Sequence, residues 1–177
     1  MAADLGTLLD SSYLGDLAER SIDDVRAMRA ECQEVESGMS LLRRLVQGRL
    51  DIVGLELRRR ATGAVPEDAS ELIAHLPEVL ADRTHAPGVG RLPQIMAPGE
   101  LPEGLQGELD SIVGPAELAD LKEVDDERLR SIAGELDAFE RRVSEQRRAL
   151  FDRIDTLQAE IIRRYKSGEA SVDSLLQ

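Results

Sequence analysis

Aromatic residues are scarce in this chain: 177 residues contain two Tyr, two Phe and no Trp (Tyr13, Phe139, Phe151, Tyr165). So few large rings are thin material for a compact core, and a sheet-rich enzyme fold is not expected. Cysteine is nearly absent as well. The single Cys32 excludes an internal disulfide and, at a seam position of a predicted helix, reads as a small buried hydrophobe. No run of 18 uncharged apolar residues exists, which excludes a transmembrane helix, and the acidic stretch from Met1 to Asp10 has no cationic leader, so a cytoplasmic protein is expected. What the chain does have is charge, at 32% of its residues, and an abundance of Leu, Ala, Glu and Arg suited to long helices packed along narrow apolar seams.

The charge is uneven. The net value is −13, yet residues 36–60 carry six Arg against three acids, and residues 140–166 carry eight Lys or Arg against five acids. Each stretch is +3, leaving −19 for the rest. That total disfavours direct DNA binding, which needs a continuous basic surface to release counterions, while two local basic patches suit a small anionic ligand. The acidic remainder serves solubility and would also suit docking to a basic protein such as a DNA-binding factor.

An internal repeat organises the chain. A shift of 104 residues aligns Glu36, Ser40, Arg43, Arg44, Arg49, Asp51, Glu56, Arg59 and Arg60 with Glu140, Ser144, Arg147, Arg148, Arg153, Asp155, Glu160, Arg163 and Arg164, nine identities in 25 positions. Upstream, the same shift pairs Val25 with Leu129, Met28 with Ile132, Cys32 with Leu136 and Val35 with Phe139. The repeating unit is therefore a whole helix. Ser21 and Asp125 stand at equivalent N-cap positions, acids fill both first turns, and Ala61-Thr62-Gly63 and Ser167-Gly168 supply the stops.

Two long helices are predicted, 21–62 and 125–167, each about 60 Å at 1.5 Å per residue. The first carries a stripe of Val25, Met28, Cys32, Val35, Met39, Leu42, Val46, Leu50, Val53 and Leu57. The second carries Leu129, Ile132, Leu136, Phe139, Val143, Leu150, Ile154, Leu157 and Ile161, with Gln146 where the first has Leu42. Stripes so narrow need a partner helix, and the fold expected is all-α: an antiparallel coiled-coil hairpin with short helices and a Pro/Gly-rich loop in its connector. Facing residues would have numbers summing to about 190, setting Arg43 near Arg147. A parallel pairing would require a connector returning along the full helix length, and homodimerisation through the same seam stays open.

The domains expected are an N-terminal segment 1–20, partly disordered, whose weakly amphipathic Leu5, Leu8, Leu9, Leu14 and Leu17 would otherwise pack or bind a partner; the helix 21–62; a connector 63–124; the helix 125–167; and a tail 168–177. In the connector, Pro66 to Arg83 reads as one or two short helices with Leu72, Ile73, Leu76, Val79 and Leu80 on one side and a break at Pro77. Thr84 to Gly104, with eight Pro or Gly, reads as an exposed loop, followed by short helices at Leu105–Val113 and Pro115–Lys122. Gly88-Val89-Gly90 lacks the strand and third glycine of a nucleotide loop, and His75 and His85 lack partners at metal-ligand spacing, so no metal is expected.

A polar line runs beside each stripe. Glu36, Ser40, Arg43, Gln47 and Asp51 each follow a seam residue by one position; Glu140, Ser144, Arg147, Phe151 and Asp155 repeat the line with Phe in place of Gln. Such flanking charges commonly form interhelical salt bridges, but that alone does not call for the recurrence of Ser beside them or for positive patches in an acidic chain. Carboxylates accept hydrogen bonds from guanine N1 and N2 groups, while Arg donates to O6 and N7 or to phosphate, so two such lines would match a twofold-symmetric ligand with two guanines and two phosphates. No nucleophile–base pair or metal cluster accompanies them, and an enzyme is not expected.

At these residues the chain resembles a known family. The pattern Glu-x3-Ser-x2-Arg-x3-Gln-x3-Asp, complete at Glu36, Ser40, Arg43, Gln47 and Asp51 and matched at four of five positions in the second helix, is similar to the cyclic di-GMP-binding motif of the RsiG anti-sigma factors of sporulating actinobacteria. The resemblance implies an antiparallel coiled coil with one motif per long helix. It implies cyclic di-GMP as effector, two molecules as an intercalated dimer gripped between the polar lines, and a sporulation sigma factor of the WhiG type as the partner sequestered by the loaded protein. Phe151 departs from the motif; it would stack on a base or simply pack. The other class left open is a ligand-free coiled-coil scaffold.

Overall fold

A computed structural model describes residues 4–63, 101–102 and 104–169. The expected helices of 66–83, the loop 84–100, His75, His85, Gly88-Val89-Gly90 and the tail beyond residue 169 lie outside the described residues. Among those described, all regular structure is helical: α1 (Leu5–Leu9), α2 (Ile22–Thr62), α3 (Leu105–Ile112), α4 (Pro115–Ala119), a 3-10 turn at Leu121–Glu123 and α5 (Asp126–Ser167).

The long helices begin and end for local reasons. At the start of α2, Ser21 Oγ accepts from the Asp24 amide at 3.1 Å while the Asp24 carboxylate accepts from the Ser21 amide at 3.2 Å, a reciprocal capping box. Asp125 caps α5 by accepting from the Arg128 amide at 2.8 Å. Gly63 (φ 65°) and Gly168 (φ 78°) follow the two C-termini in the left-handed region that favours glycine.

The chain divides into two compact units, and both long helices pass from one into the other. Among the described residues, unit 1 contains 4–41, 101–102 and 142–169, and unit 2 contains 42–63 and 104–141. In unit 1, α2 and α5 are antiparallel: Arg26 pairs with Tyr165, Arg29 with Gln158, and Glu36 with Arg147, numbers rising on one helix as they fall on the other. Their seam buries Val25, Met28, Cys32, Val35 and Met39 with Val143, Leu150, Leu157 and Ile161. In unit 2 the order is again antiparallel, from Arg43–Glu140 to Arg60–Asp126, and the seam buries Leu42, Val46 and Val53 with Leu129, Ile132, Leu136 and Phe139. The fold is an all-α antiparallel coiled-coil hairpin.

Each unit also clamps a short helical segment onto its seam, with arginines at equivalent repeat positions. In unit 1 the segment is residues 4–20: Leu8 is fully buried, Arg153 donates to the Leu9 and Asp10 carbonyls at 2.6 and 3.3 Å, and Arg164 donates to the Leu17 and Arg20 carbonyls. In unit 2, Arg49 donates to the Leu109 and Val113 carbonyls at 3.1 and 2.6 Å, and Arg60 to the Leu121 carbonyl at 2.7 Å. Under the 104-residue shift, Leu9 corresponds to Val113, Leu17 to Leu121, Arg49 to Arg153 and Arg60 to Arg164. The duplication thus embraces a short helical segment as well as the long helix.

Each clamp is anchored by a carboxylate. Arg59 and Arg60 hold the Glu56 carboxyl down to about 2, from an ordinary 4.5, and Arg163 and Arg164 do the same for Glu160. A carboxyl whose folded pKa is depressed adds stability above its unfolded pKa and loses it as pH falls toward the folded value. The melting temperature is therefore expected to fall between about pH 4.5 and 2. Replacing both acids, Glu56→Gln with Glu160→Gln, should flatten that interval in melts followed by circular dichroism; an unchanged slope would refute the anchoring role.

Candidate functional site

The polar lines place their residues in two clusters, one within each unit. In unit 1, Glu36 and Ser40 come from α2 and Arg147 from α5: Ser40 Oγ donates to Glu36 Oε1 at 2.7 Å, and Arg147 Nη1 lies 3.3 Å from the same oxygen and 3.2 Å from Ser40 Oγ. The Arg147 guanidinium stands over the Phe151 ring, 5.1 Å from its centroid. In unit 2 the helices exchange roles. Glu140 comes from α5, and Arg43 Nε and Gln47 Nε2, both on α2, donate to its Oε1 at 3.0 and 3.2 Å.

Each cluster therefore joins the Glu that opens one motif to the Arg in the middle of the other, which the linear pattern did not reveal. The expected register set Arg43 opposite Arg147; each Arg is instead paired with the glutamate that opens the other helix's motif, about two turns before that helix's own Arg, as attraction between opposite charges requires. Position follows from spacing. Every member lies one residue past a seam position, buried in each case except the half-buried Gln146 before Arg147, so its base is half-buried while its polar end reaches the flank of the seam. Asp51 and Asp155, which close the motifs, are exposed, and their carboxylates make no hydrogen bond or ion pair among the described residues. Ser144 is half-buried on α5 in unit 1.

The departure at position 151 has a visible consequence. Gln47 donates to Glu140 in unit 2; Phe151, its counterpart, cannot donate, and packs instead against the guanidinium of Arg147. Arg147 Nε is buried and has no hydrogen-bond partner. An acceptor atom brought to that edge of the guanidinium would satisfy it, so the donor set fits an anionic or carbonyl-bearing ligand. Gln146, at its seam position, likewise buries Oε1 without a partner.

Each cluster offers a carboxylate acceptor, a guanidinium donor and a hydroxyl or amide, and no group of three or more His, Cys, Asp or Glu able to hold a metal occurs among the described residues. No helix among them is long and apolar enough to cross a membrane. The fold is a helical hairpin that carries one Glu–Arg cluster in each unit. The RsiG-like family profile matches residues 11–80 and 115–177, most of the chain, and the chain belongs to that family. It is a family of regulatory anti-sigma factors, not of enzymes. No curated protein matches the chain in sequence.

Proposed function

We propose that the protein binds cyclic di-GMP through its two Glu–Arg clusters and, when loaded, sequesters a sporulation sigma factor of the WhiG type, repressing transcription from the cytoplasm. The observation that carries this reading is the recurrence in both units of a half-buried carboxylate and guanidinium from opposite helices. Glu36 and Glu140 would accept from the N1 and N2 groups of guanine, and Arg43 and Arg147 would donate to O6 and N7 or to phosphate. Ser40, Ser144 and Gln47 would add hydrogen bonds, and Phe151 would stack on a base through the face it now turns to Arg147. Asp51 and Asp155 are free to meet a ligand edge at the exposed ends of the lines. Two molecules of cyclic di-GMP per chain, as an intercalated dimer held by both polar lines, are what the resemblance to the RsiG motif implies.

The ligand acts by linkage: it promotes sigma binding only to the extent that it binds the sigma-competent arrangement better than the free one. Titration calorimetry with cyclic di-GMP, GTP and cyclic di-AMP, each with and without the sigma factor, tests the reading. Saturable binding of two molecules selective for cyclic di-GMP, tightening sigma binding, is the expected result. No heat in either condition would leave a ligand-free coiled-coil scaffold.

A further inference from the structure

The duplication exposes a feature that the two halves do not share. On α2 in unit 2, Leu45, Gly48, Ile52 and Leu55 follow one another at helical spacings along a side distinct from the seam residues Leu42, Val46 and Val53 and from Arg43 and Gln47. Leu45 and Ile52 are 40% and 44% exposed, a high value for large aliphatic side chains. A Cβ at Gly48 would meet nothing within 4 Å, so the strip has a notch at its middle. The repeat-equivalent positions on α5 are Ala149, Asp152, Thr156 and Ala159. A helix of nearly the same length with an equivalent seam is thus built with nothing larger than alanine as an apolar group there, and the shared fold does not explain large aliphatic side chains at these positions on α2.

Charge indicates what covers the strip. Arg44 and Arg58 are exposed beside it, about 21 Å apart along the axis, and neither makes an ion pair among the described residues. Asp51 is the exposed acid between them. A second copy of this chain would bring the same arginines and a net charge of −13, a poor complement. We infer that the strip is the docking face for an amphipathic helix of the sigma factor, its apolar side on Leu45 and Ile52 and its flanking carboxylates on Arg44 and Arg58. The inference rests on the sigma-binding reading above and adds where on this chain the sigma factor sits.

The test uses the full chain, saturating cyclic di-GMP and the WhiG-type sigma factor. Leu45→Glu with Ile52→Glu is expected to weaken sigma binding by at least about 100-fold while cyclic di-GMP binding and helicity stay at wild-type values. Ala149→Glu with Thr156→Glu, the same change on the α5 face, should leave sigma binding intact. Equal sigma affinity for wild type and the Leu45/Ile52 variant overturns the inference and leaves the sigma reading standing; no sigma binding by wild type overturns both. Sedimentation supplies a further check: a wild-type dimer that this variant alone abolishes would give the strip to a second copy and overturn the docking face.

Discussion

Replacing both cluster arginines, Arg43→Ala with Arg147→Ala, is expected to lower cyclic di-GMP affinity by about 1,000-fold, on the basis of about 2 kcal/mol for each bidentate arginine contact to guanine or phosphate. The hairpin should survive the change. Both guanidinium groups are about a quarter exposed, at 25% and 27%, where ion pairs contribute about 0–1 kcal/mol, and the seams beneath them are untouched. Helicity and melting temperature therefore serve as internal controls, and affinity within a few-fold of wild type would sink the site assignment. A charge exchange separates the ligand reading from the scaffold. Glu36→Arg with Arg147→Glu keeps an interhelical pair within unit 1, so a mere salt bridge would tolerate it in every assay. A guanine-binding cluster would not, since the acceptor and donor then stand at each other's motif positions within unit 1; stability close to wild type with ligand binding lost in that cluster is the outcome expected.

The parts of the fold that were legible in the sequence are those governed by local, periodic rules. Helix caps at Ser21 and Asp125 and the stripe from Val25 to Val53 are set by hydrogen bonding and burial on a single helix, and they can be read from spacing alone. The pairing of the clusters was not legible. That Glu36 meets Arg147 and Glu140 meets Arg43 depends on the axial offset between two helices, which the spacing within either helix does not fix. The contacts that hold residues 4–20 were not legible for a different reason. Leu5, Leu8 and Leu17 give too weak a pattern to declare themselves, and the groups that hold them are Arg153 and Arg164, some 140 residues away in sequence. A signal was present nonetheless: extended to the N-terminus, the 104-residue shift aligns Leu5, Leu14, Asp16, Leu17 and Glu19 with Leu109, Leu118, Asp120, Leu121 and Glu123. A weak amphipathic segment that recurs ahead of both long helices is better read as part of the repeat than as a tail.

Arg164→Ala should be the most damaging single substitution for stability outside the apolar seams. Arg164 is only 6% exposed, and its guanidinium is shared among the Glu160 carboxylate and the carbonyls of Leu17 and Arg20. Truncation would take the side-chain donor from the Arg20 carbonyl, leave the Leu17 carbonyl with the Arg20 amide alone, and remove one of the two arginines that hold Glu160, at a cost of about 3 kcal/mol. For a chain of this size that corresponds to a fall of roughly 6–12 °C in melting temperature. Hydrogen exchange should localise the effect: the Leu8 amide, which donates to the Asp4 carbonyl, and the Arg20 amide, which donates to Leu17, should lose protection before the amides of the α2 and α5 seam. Arg164→Lys keeps the charge but not the fork that reaches three acceptors, so it should fall between wild type and alanine. Cyclic di-GMP affinity should not follow the melting temperature, because Arg164 lies about 26 Å along α5 from Arg147. Parallel losses of stability and ligand affinity across the three variants would mean that the clamped N-terminal segment supports the binding cluster itself, and the separation of fold from site drawn from these contacts would fail.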